Sequence, residues 1–393
     1  MRNESVNALA SAILTGWRAR VVTARLWVAI LRLALSSFSP IRAIKAVLAL
    51  YRKVCAACPD TGSGLTPKLV WGAGRSFFHL NFPGFPSPAF DRFITRELTW
   101  AATSSEPATN LQTLILAITR RRPLSCQHCS EWKTLNRREQ LSREDLLAIA
   151  ERFQARGVTQ ILLSGGEPML RLDDVLALCR AARPGTDYWI ATSGFRLSAS
   201  NAARLAEAGL TGVCISMDHF EAERHDAFRG RAGSFRQVQQ AARNVREAGL
   251  VLCLSLCATR EFVSAENLQR YATLAGELGA GFIQILEPRA VGRYEGREVS
   301  LSMEQMALLD DFKMDLNTDP ARAHLPVVIS HGYYQRRLGC FGAGRRFVFV
   351  NSAGEVHACP FCPARAGSCL DGPLDGVLER VARLGCHAFP LAR

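Results

Sequence analysis

The sequence predicts an α/β fold: a parallel sheet of six strands alternating with helices, either open and doubly wound or curved as a partial barrel. Six apolar runs carry this reading, "LQTLILAIT", "VTQILLS", "DYWIATS", "TGVCIS", "VLCLSLCAT" and "FIQILEP", in order between residues 111 and 288. Five segments of helical period separate them, among them "SREDLLAIAERFQARG" and "SFRQVQQAARNVREAG", and regular alternation of the two periods marks βα units. Composition sets the scale. With 393 residues, 48% hydrophobic and 21% charged, the chain can bury a sizeable core in one large domain with appendages or in two.

Residues 1–58 read as a basic amphipathic helical extension. Two helices are expected from about Leu9 to Val54, broken at "SFSP", because Pro40 lacks the N–H that a continuing helix needs. Of the formal net charge of +13, the segment Met1 to Lys53 holds nine basic residues against Glu4 alone. Arg18, Arg25 and Arg32 recur every seven residues beside an apolar stripe of Trp17, Val21, Val28, Leu31 and Leu35. Charges interrupt every long apolar run, so an anionic membrane surface met through residues 1–54 is one expectation and a transmembrane span is not. A helix packed on the domain with a solvated arginine stripe is the other. An Arg-rich, acid-poor start also resembles an organelle transit peptide, although nothing marks a cleavage site. Nucleic acid is not an expected partner, since no basic and aromatic interleaving or zinc-finger spacing accompanies the charge.

Residues 59–110, rich in Gly, Pro and aromatics ("FFHLNFPGFPSPAF"), read as a hairpin or loop module. Thirteen cysteines, an odd count in a chain that shows no cleavable signal peptide, favour metal or cluster ligation over a disulfide framework and point to a reducing cytoplasm. Cys179, Cys214, Cys253 and Cys257 fall inside helices or strands and read as packing residues.

In either form of the sheet, ligands sit at the carboxyl ends of the strands. After the first strand comes "RRRPLSCQHC", where Cys126 and Cys129 present two thiols from one tight loop, a spacing that suits zinc or a corner of an iron–sulfur cluster. After the second comes "LLSGGEPML": Gly165 and Gly166 let the backbone approach a ligand closely, Glu167 adds a carboxylate, and Pro168 stiffens the turn. Each has a bland counterpart, a pair of core cysteines and an ordinary strand-to-helix turn.

Taken together and in this order, the two loops resemble the radical S-adenosylmethionine (SAM) superfamily, over residues 111–290 and again near the C-terminus. The resemblance implies a partial (β/α)6 TIM-like barrel at 111–298, a small C-terminal auxiliary-cluster domain at 299–393 and an N-terminal helical extension. It implies a [4Fe–4S] cluster held by a C-x3-C-x2-C loop, whose open iron binds S-adenosylmethionine. "ATSG" with Ser193 stands where the family has its strand-three turn. "CISMDHFEAERHDAFRG" resembles the strand-four segment, in which Ser216 and Arg229 would contact the S-adenosylmethionine carboxylate. In "FIQILEP", Ile285 and Leu286 would border the adenine.

A second resemblance lies in "GCFGAGRRFVFVNSAGEVHACPFC". Cys340, thirteen residues, Gly354, four residues and Cys359 follow the spacing of the SPASM or twitch extension, which binds auxiliary [4Fe–4S] clusters. Cys362, Cys369 and Cys386 are further ligand candidates, and five thiols make one cluster the economical reading, with zinc as the alternative.

The sequence departs from the family at Arg122, which stands at the first of the three cluster cysteines. A guanidinium offers no lone pair to iron. A substitute ligand, His128 or the "CAAC" pair Cys55 and Cys58 folded over the barrel mouth, is one account; a pair of buried helix-end cysteines is the plainer reading of "CAAC". A protein that has lost cleavage and binds a ligand or partner is the second account, and a single-base change the third. The activity that the resemblance implies is one-electron cleavage of S-adenosylmethionine, supplied by a reductant such as flavodoxin or ferredoxin, with hydrogen abstraction from a peptide, protein or small-molecule substrate. A silent binding scaffold and a zinc-stabilised module are the competing classes.

Overall fold

The computed structural model describes residues 12–57, 68–103, 110–340 and 342–389. Strand β1 (Ala12–Leu14) leads into helices α1 (Gly16–Ser37) and α2 (Pro40–Ala57), and the break falls at Pro40 as the sequence predicts. There the Phe38 amide closes α1 on Ala34 O and the Ala43 amide opens α2 on Ser39 O. Next come β2 (Leu69–Gly72) and β3 (Arg75–Phe77), joined by Ala73 and Gly74, both with φ above zero, the geometry of a tight hairpin turn. Helix α3 (Pro88–Thr103) follows, and β1, β2 and β3 form a small antiparallel sheet.

The barrel runs β4 (Thr113–Ala117), α4 (Arg143–Ala155), β5 (Gln160–Ser164), α5 (Leu172–Arg180), β6 (Asp187–Thr192), α6 (Ala199–Glu207) and β7 (Leu210–Ser216). It continues through α7 (Ala222–Arg229), α8 (Ser234–Glu247), β8 (Val251–Cys257), α9 (Ala265–Glu277) and β9 (Phe282–Leu286). These six strands are the six expected ones. Beyond them lie α10 (Met303–Thr318), β10 (Val327–Ser330), α11 (His331–Leu338), β11 (Phe347–Val350), β12 (Glu355–His357), β13 (Arg365–Ser368) and α12 (Leu374–Leu384). All four later strands join the barrel sheet, whose order is β10-β9-β8-β7-β6-β5-β4-β11-β12-β13: β10 and β11 extend the parallel run at its two ends, and β12 and β13 follow antiparallel. "VVIS" and "FVFV" are four-residue apolar runs without a period, too short to mark a strand by pattern.

Alternation along the strands sorts side chains between two cores. Ile161, Ile190, Val213, Leu254 and Ile283 pack outward under the helices. Trp189, Cys214, Cys253, Phe282 and Ile329 point inward, where Val70 and Phe77 of the hairpin meet them. The hairpin therefore stoppers the barrel at the N-terminal ends of its strands. Arg75 pairs with Asp187 at 2.7 Å and reaches Thr211, Gln160 donates to Leu80 O, and the Ala73 amide donates to Gly249 O. The four cysteines expected to be packing residues, Cys179, Cys214, Cys253 and Cys257, are all buried.

Helix α3 is fixed to the same end by Glu97, a buried carboxylate that accepts from Asn110, Gln112 and Arg346 at 2.7–3.0 Å and from Lys53 of α2 at 3.3 Å. One side chain thus ties the helical extension to the starts of β4 and β11. Removing one member of such a buried charged group costs about 3–5 kcal/mol. Glu97→Ala is expected to lose that much in denaturant-induced unfolding, and Glu97→Gln to recover part of it.

Candidate functional site

The loop between β4 and α4 crosses the opposite end of the barrel, the mouth, and is strapped there from three sides. From the β5 side, Gly166 N–H donates to Thr119 O at 2.8 Å and Glu167 N–H to Arg121 O at 2.7 Å. A Cβ on Gly166 would stand 2.1 Å from Arg121 O, and one on Gly165, whose φ is +122°, 2.5 Å from Thr119 O. The backbone that these glycines let close is that of the cysteine loop itself. From the end of α7, Arg229 O and Phe228 O accept from the amides of Ser125 and Gln127, and Gly230 leaves room for Ser125 O. Beyond β9, the Arg293 amide donates to Cys129 O at 3.0 Å, and its guanidinium reaches Ser125 O at 2.7 Å and Cys126 O at 3.2 Å.

Glu167 is buried and fully used. Oε1 accepts from the Met169 amide at 3.1 Å and from Thr192 Oγ1 at 2.6 Å; Oε2 accepts from the amide and the hydroxyl of Ser193 at 2.9 and 2.5 Å. The carboxylate therefore knots the end of β5 to the turn after β6. Pro168, also buried, begins the short helical turn that follows Glu167.

Arg229 lies fully buried in an ion pair with Asp218, whose Oδ1 accepts from the Cys257 amide at 2.9 Å. Burial is the largest single effect on both and works against their charges. It is outweighed together by Arg229, His128, His225 and the Cys257 amide at Asp218, which is held below its usual range, and by Asp218 and Cys126 at Arg229, which is held above its own. The second edge of that guanidinium, Nη1, donates to Cys126 Sγ at 3.6 Å, while Arg122 Nη1 donates to Cys129 Sγ at 3.5 Å. Each loop cysteine thus faces one arginine. Burial raises the Cys129 thiol, with Arg122 opposing it. His128 stacks on Phe228 with ring centroids 5.0 Å apart, and its Nδ1 is buried without a hydrogen-bond partner. Burial, reinforced by Arg229, holds its pKa at about 3, so the ring is neutral.

Ser216 shares the inward parity of Cys214 and neighbours Ser255 in register, within the barrel. Ile285 belongs to the outward core under the helices, whereas Gln284 and Leu286 take the inward parity. Gln284 bonds Ser255 at 3.2 Å and His331 at 3.3 Å. Asp218 and Gln284 were not singled out in the sequence. Asp218 stands two residues past a strand and eleven before the arginine it neutralises, which is the signal that could have found it.

The expectation that "CAAC" folds over the mouth is corrected. Cys55 lies in the last turn of α2, two residues after Lys53, which is anchored to Glu97 at the bottom of the barrel; Cys58 lies outside the described residues. Of the C-terminal thiols, Cys359 interacts with Cys362, Cys386 and Cys340, and Cys340 with Cys386; burial first, then these thiols, raise the Cys359 pKa to about 11. Cys369 is separate, its charged neighbours being Arg152 and Asp371. Among the described residues no three His, Cys, Asp or Glu side chains stand in a ready-made metal geometry.

Gly166→Ala would force the strapped loop away from β5. Overpacking of this kind costs about 1–3 kcal/mol, so the variant is expected to unfold earlier and to exchange the amides of Ser125 and Gln127 faster. Gly376→Ala, where a Cβ meets only Arg380 at 3.6 Å, is the control and should leave both unchanged or improved.

This arrangement has known counterparts. The profile of the Radical SAM superfamily matches residues 116–260. A PqqA peptide cyclase from Granulibacter bethesdensis is 31% identical over 256 residues, covering 63% of this chain and 67% of the relative. A mycofactocin maturase from Mycolicibacterium smegmatis is 30% identical over 246 residues, covering 61% of each. Among solved structures, Streptococcus suis SuiB bound to S-adenosylmethionine aligns with a TM-score of 0.56 at 16% identity, over 72% of this chain and 70% of that one, a likeness of fold. The strapped cysteine loop, the Glu167 knot, the parallel barrel and these relatives agree, and the chain belongs to the radical SAM superfamily of enzymes.

Proposed function

We propose that this chain binds S-adenosylmethionine at the barrel mouth and acts on a peptide as a radical SAM enzyme. The carrying observation is the conjunction at one end of the barrel of the strapped loop, the Glu167 knot and the Arg229–Asp218 pair, in chain order. Ser193, Ser216 and Arg229, with the backbone around Gly165 to Pro168, are the residues to which the ligand is assigned; Ile285 reaches it only through the strand that it supports. Relatives named peptide cyclase and maturase support a peptide as substrate. A flavodoxin or ferredoxin would supply the electron, and the twelve described cysteines, all free thiols, support a reducing, cytoplasmic setting.

The family implies a [4Fe–4S] cluster at this loop. Cys126 and Cys129 fit it; Arg122, at the remaining place, does not, because its guanidinium can only donate. The set falls one thiolate short, and no reaction step is derived through it. Neutral His128 is the other donor within the loop. A second reading, that the chain binds the same ligand without cleaving it, is favoured by the Arg122 contact with Cys129.

The deciding experiment measures 5′-deoxyadenosine from anaerobically reconstituted protein with dithionite and S-adenosylmethionine, beside Arg122→Cys and Cys126→Ser. The enzyme reading expects product from the unaltered chain and none from Cys126→Ser. Product from Arg122→Cys alone would assign the second reading.

Cys340, Cys359, Cys362 and Cys386 are proposed as the four ligands of one auxiliary cluster, supported by the interaction of Cys359 with the other three. After reconstitution, Cys359→Ser and Cys386→Ser are expected to lose iron and sulfide in equal measure, and Cys369→Ser to keep both. Zinc without sulfide in the unaltered chain would point to the zinc alternative.

A further inference from the structure

The hairpin of α1 and α2 divides its apolar residues between two faces. Leu26, Ile30, Ala43 and Leu50 are buried against α3 and one another. Trp17, Val21, Val28, Leu31 and Leu35 are not: all five are exposed, Trp17 by 71% and Val28 by 57%. At 3.6 residues per turn these five fall within an arc of about 80°, so they form one stripe along the whole of α1. Ile41, at 73% exposure, and Leu48 extend it onto α2. Isolated exposed apolar side chains are ordinary; a contiguous stripe is not.

Charge selects the occupant. Arg18, Arg25 and Arg32 edge the stripe on one side and Arg20 on the other, while α2 adds Arg42, Lys45 and Arg52, all exposed. Residues 12–57 contain no acidic side chain. A second copy of this face would set cations against cations. An anionic lipid surface matches both features, because apolar side chains enter the headgroup boundary while arginine stems reach back to the phosphates. No helix of the described residues is long and apolar enough to cross a membrane, so the hairpin would lie flat.

We propose that the exposed face of the α1–α2 hairpin docks this protein on an anionic membrane surface. The two alternatives left open by the sequence are then both realised, one on each face: α3 takes the inner face and lipid the outer. Since Glu97 anchors α3 and α2 to the lower end of the barrel, the docked protein holds its mouth away from the bilayer. The proposal is independent of the peptide reading, and either can fail alone.

Flotation of the full chain with phosphatidylcholine vesicles, with and without phosphatidylserine, tests it. Binding is expected only with the anionic lipid, and salt should reverse it. Val28→Ser/Leu31→Ser and Arg25→Glu/Arg32→Glu each should lower the bound fraction about tenfold or more, on the scale of juxtamembrane basic residues. These side chains are exposed, so unchanged melting would confirm folded variants. Equal flotation on both vesicles, or on neither, would overturn the proposal. So would a dimer in light scattering that Val28→Ser/Leu31→Ser dissolves, which would assign the stripe to a second copy.

Discussion

Everything at the mouth depends on the cysteine loop being held by backbone. Five main-chain hydrogen bonds tie residues 119–129 to segments that follow β5, β7 and β9. At about 1 kcal/mol net for each such bond, the sum is what separates a fixed loop from the locally opening kind. The bonds need close approach, and at each strap stands a glycine, Gly166, Gly230 or Gly292, whose Cβ would fall 2.1–2.8 Å from a loop carbonyl. The positions of Cys126 and Cys129 are thus a property of the sheet. Whatever shifts one strand end shifts the thiols.

Charge is arranged on that frame in two grades. Arg229 and Asp218 are buried together and cannot separate without leaving an uncompensated ion in the interior, so the guanidinium that faces Cys126 is a fixed feature. Arg122 is only partly buried, and its Nε lacks a partner. It holds Cys129 by one weak N–H···S contact, which competes with the burial that keeps that sulfur protonated. With Arg229 neutralised by Asp218, Arg122 and Arg293 are the cations that favour anions and thiolates at the mouth.

The pattern-bearing parts of this architecture were legible. Six strands announced themselves by long apolar runs, the helix break by Pro40, and the mouth by its pair of thiols and "SGGEP". What was not legible lies where pattern is silent. β10 and β11 are four-residue runs, and their place at the two ends of the parallel run is set by long-range pairing. Ile285 was assigned to the ligand, but the two-residue period of a strand decides which face a side chain takes, and its parity is outward. The glycines of "SGGEP" were read as clearance for a ligand; the nearer object is the neighbouring loop. Cys369 carries the same letter as its four companions, yet Arg152 and Asp371 surround it.

The two groups of thiols stand at opposite ends of one strand pair. Cys126 and Cys129 follow the carboxyl end of β4. Cys359 follows Ala358, whose carbonyl accepts from the Gly344 amide beside the start of β11, and Phe347 of β11 pairs with Thr113 at the start of β4. Cys359 thus lies beside the start of the strand whose carboxyl end leads to Cys126 and Cys129, and Cys55, near Glu97, is at that same end. Beyond the loop, the mouth also carries Cys257, whose amide meets Asp218, and His219 and His225, whose Nε2 atoms are buried without a partner. Within the loop the candidate is His128, half-buried and neutral, with a buried, unpartnered Nδ1, set against Arg122, which contacts Cys129.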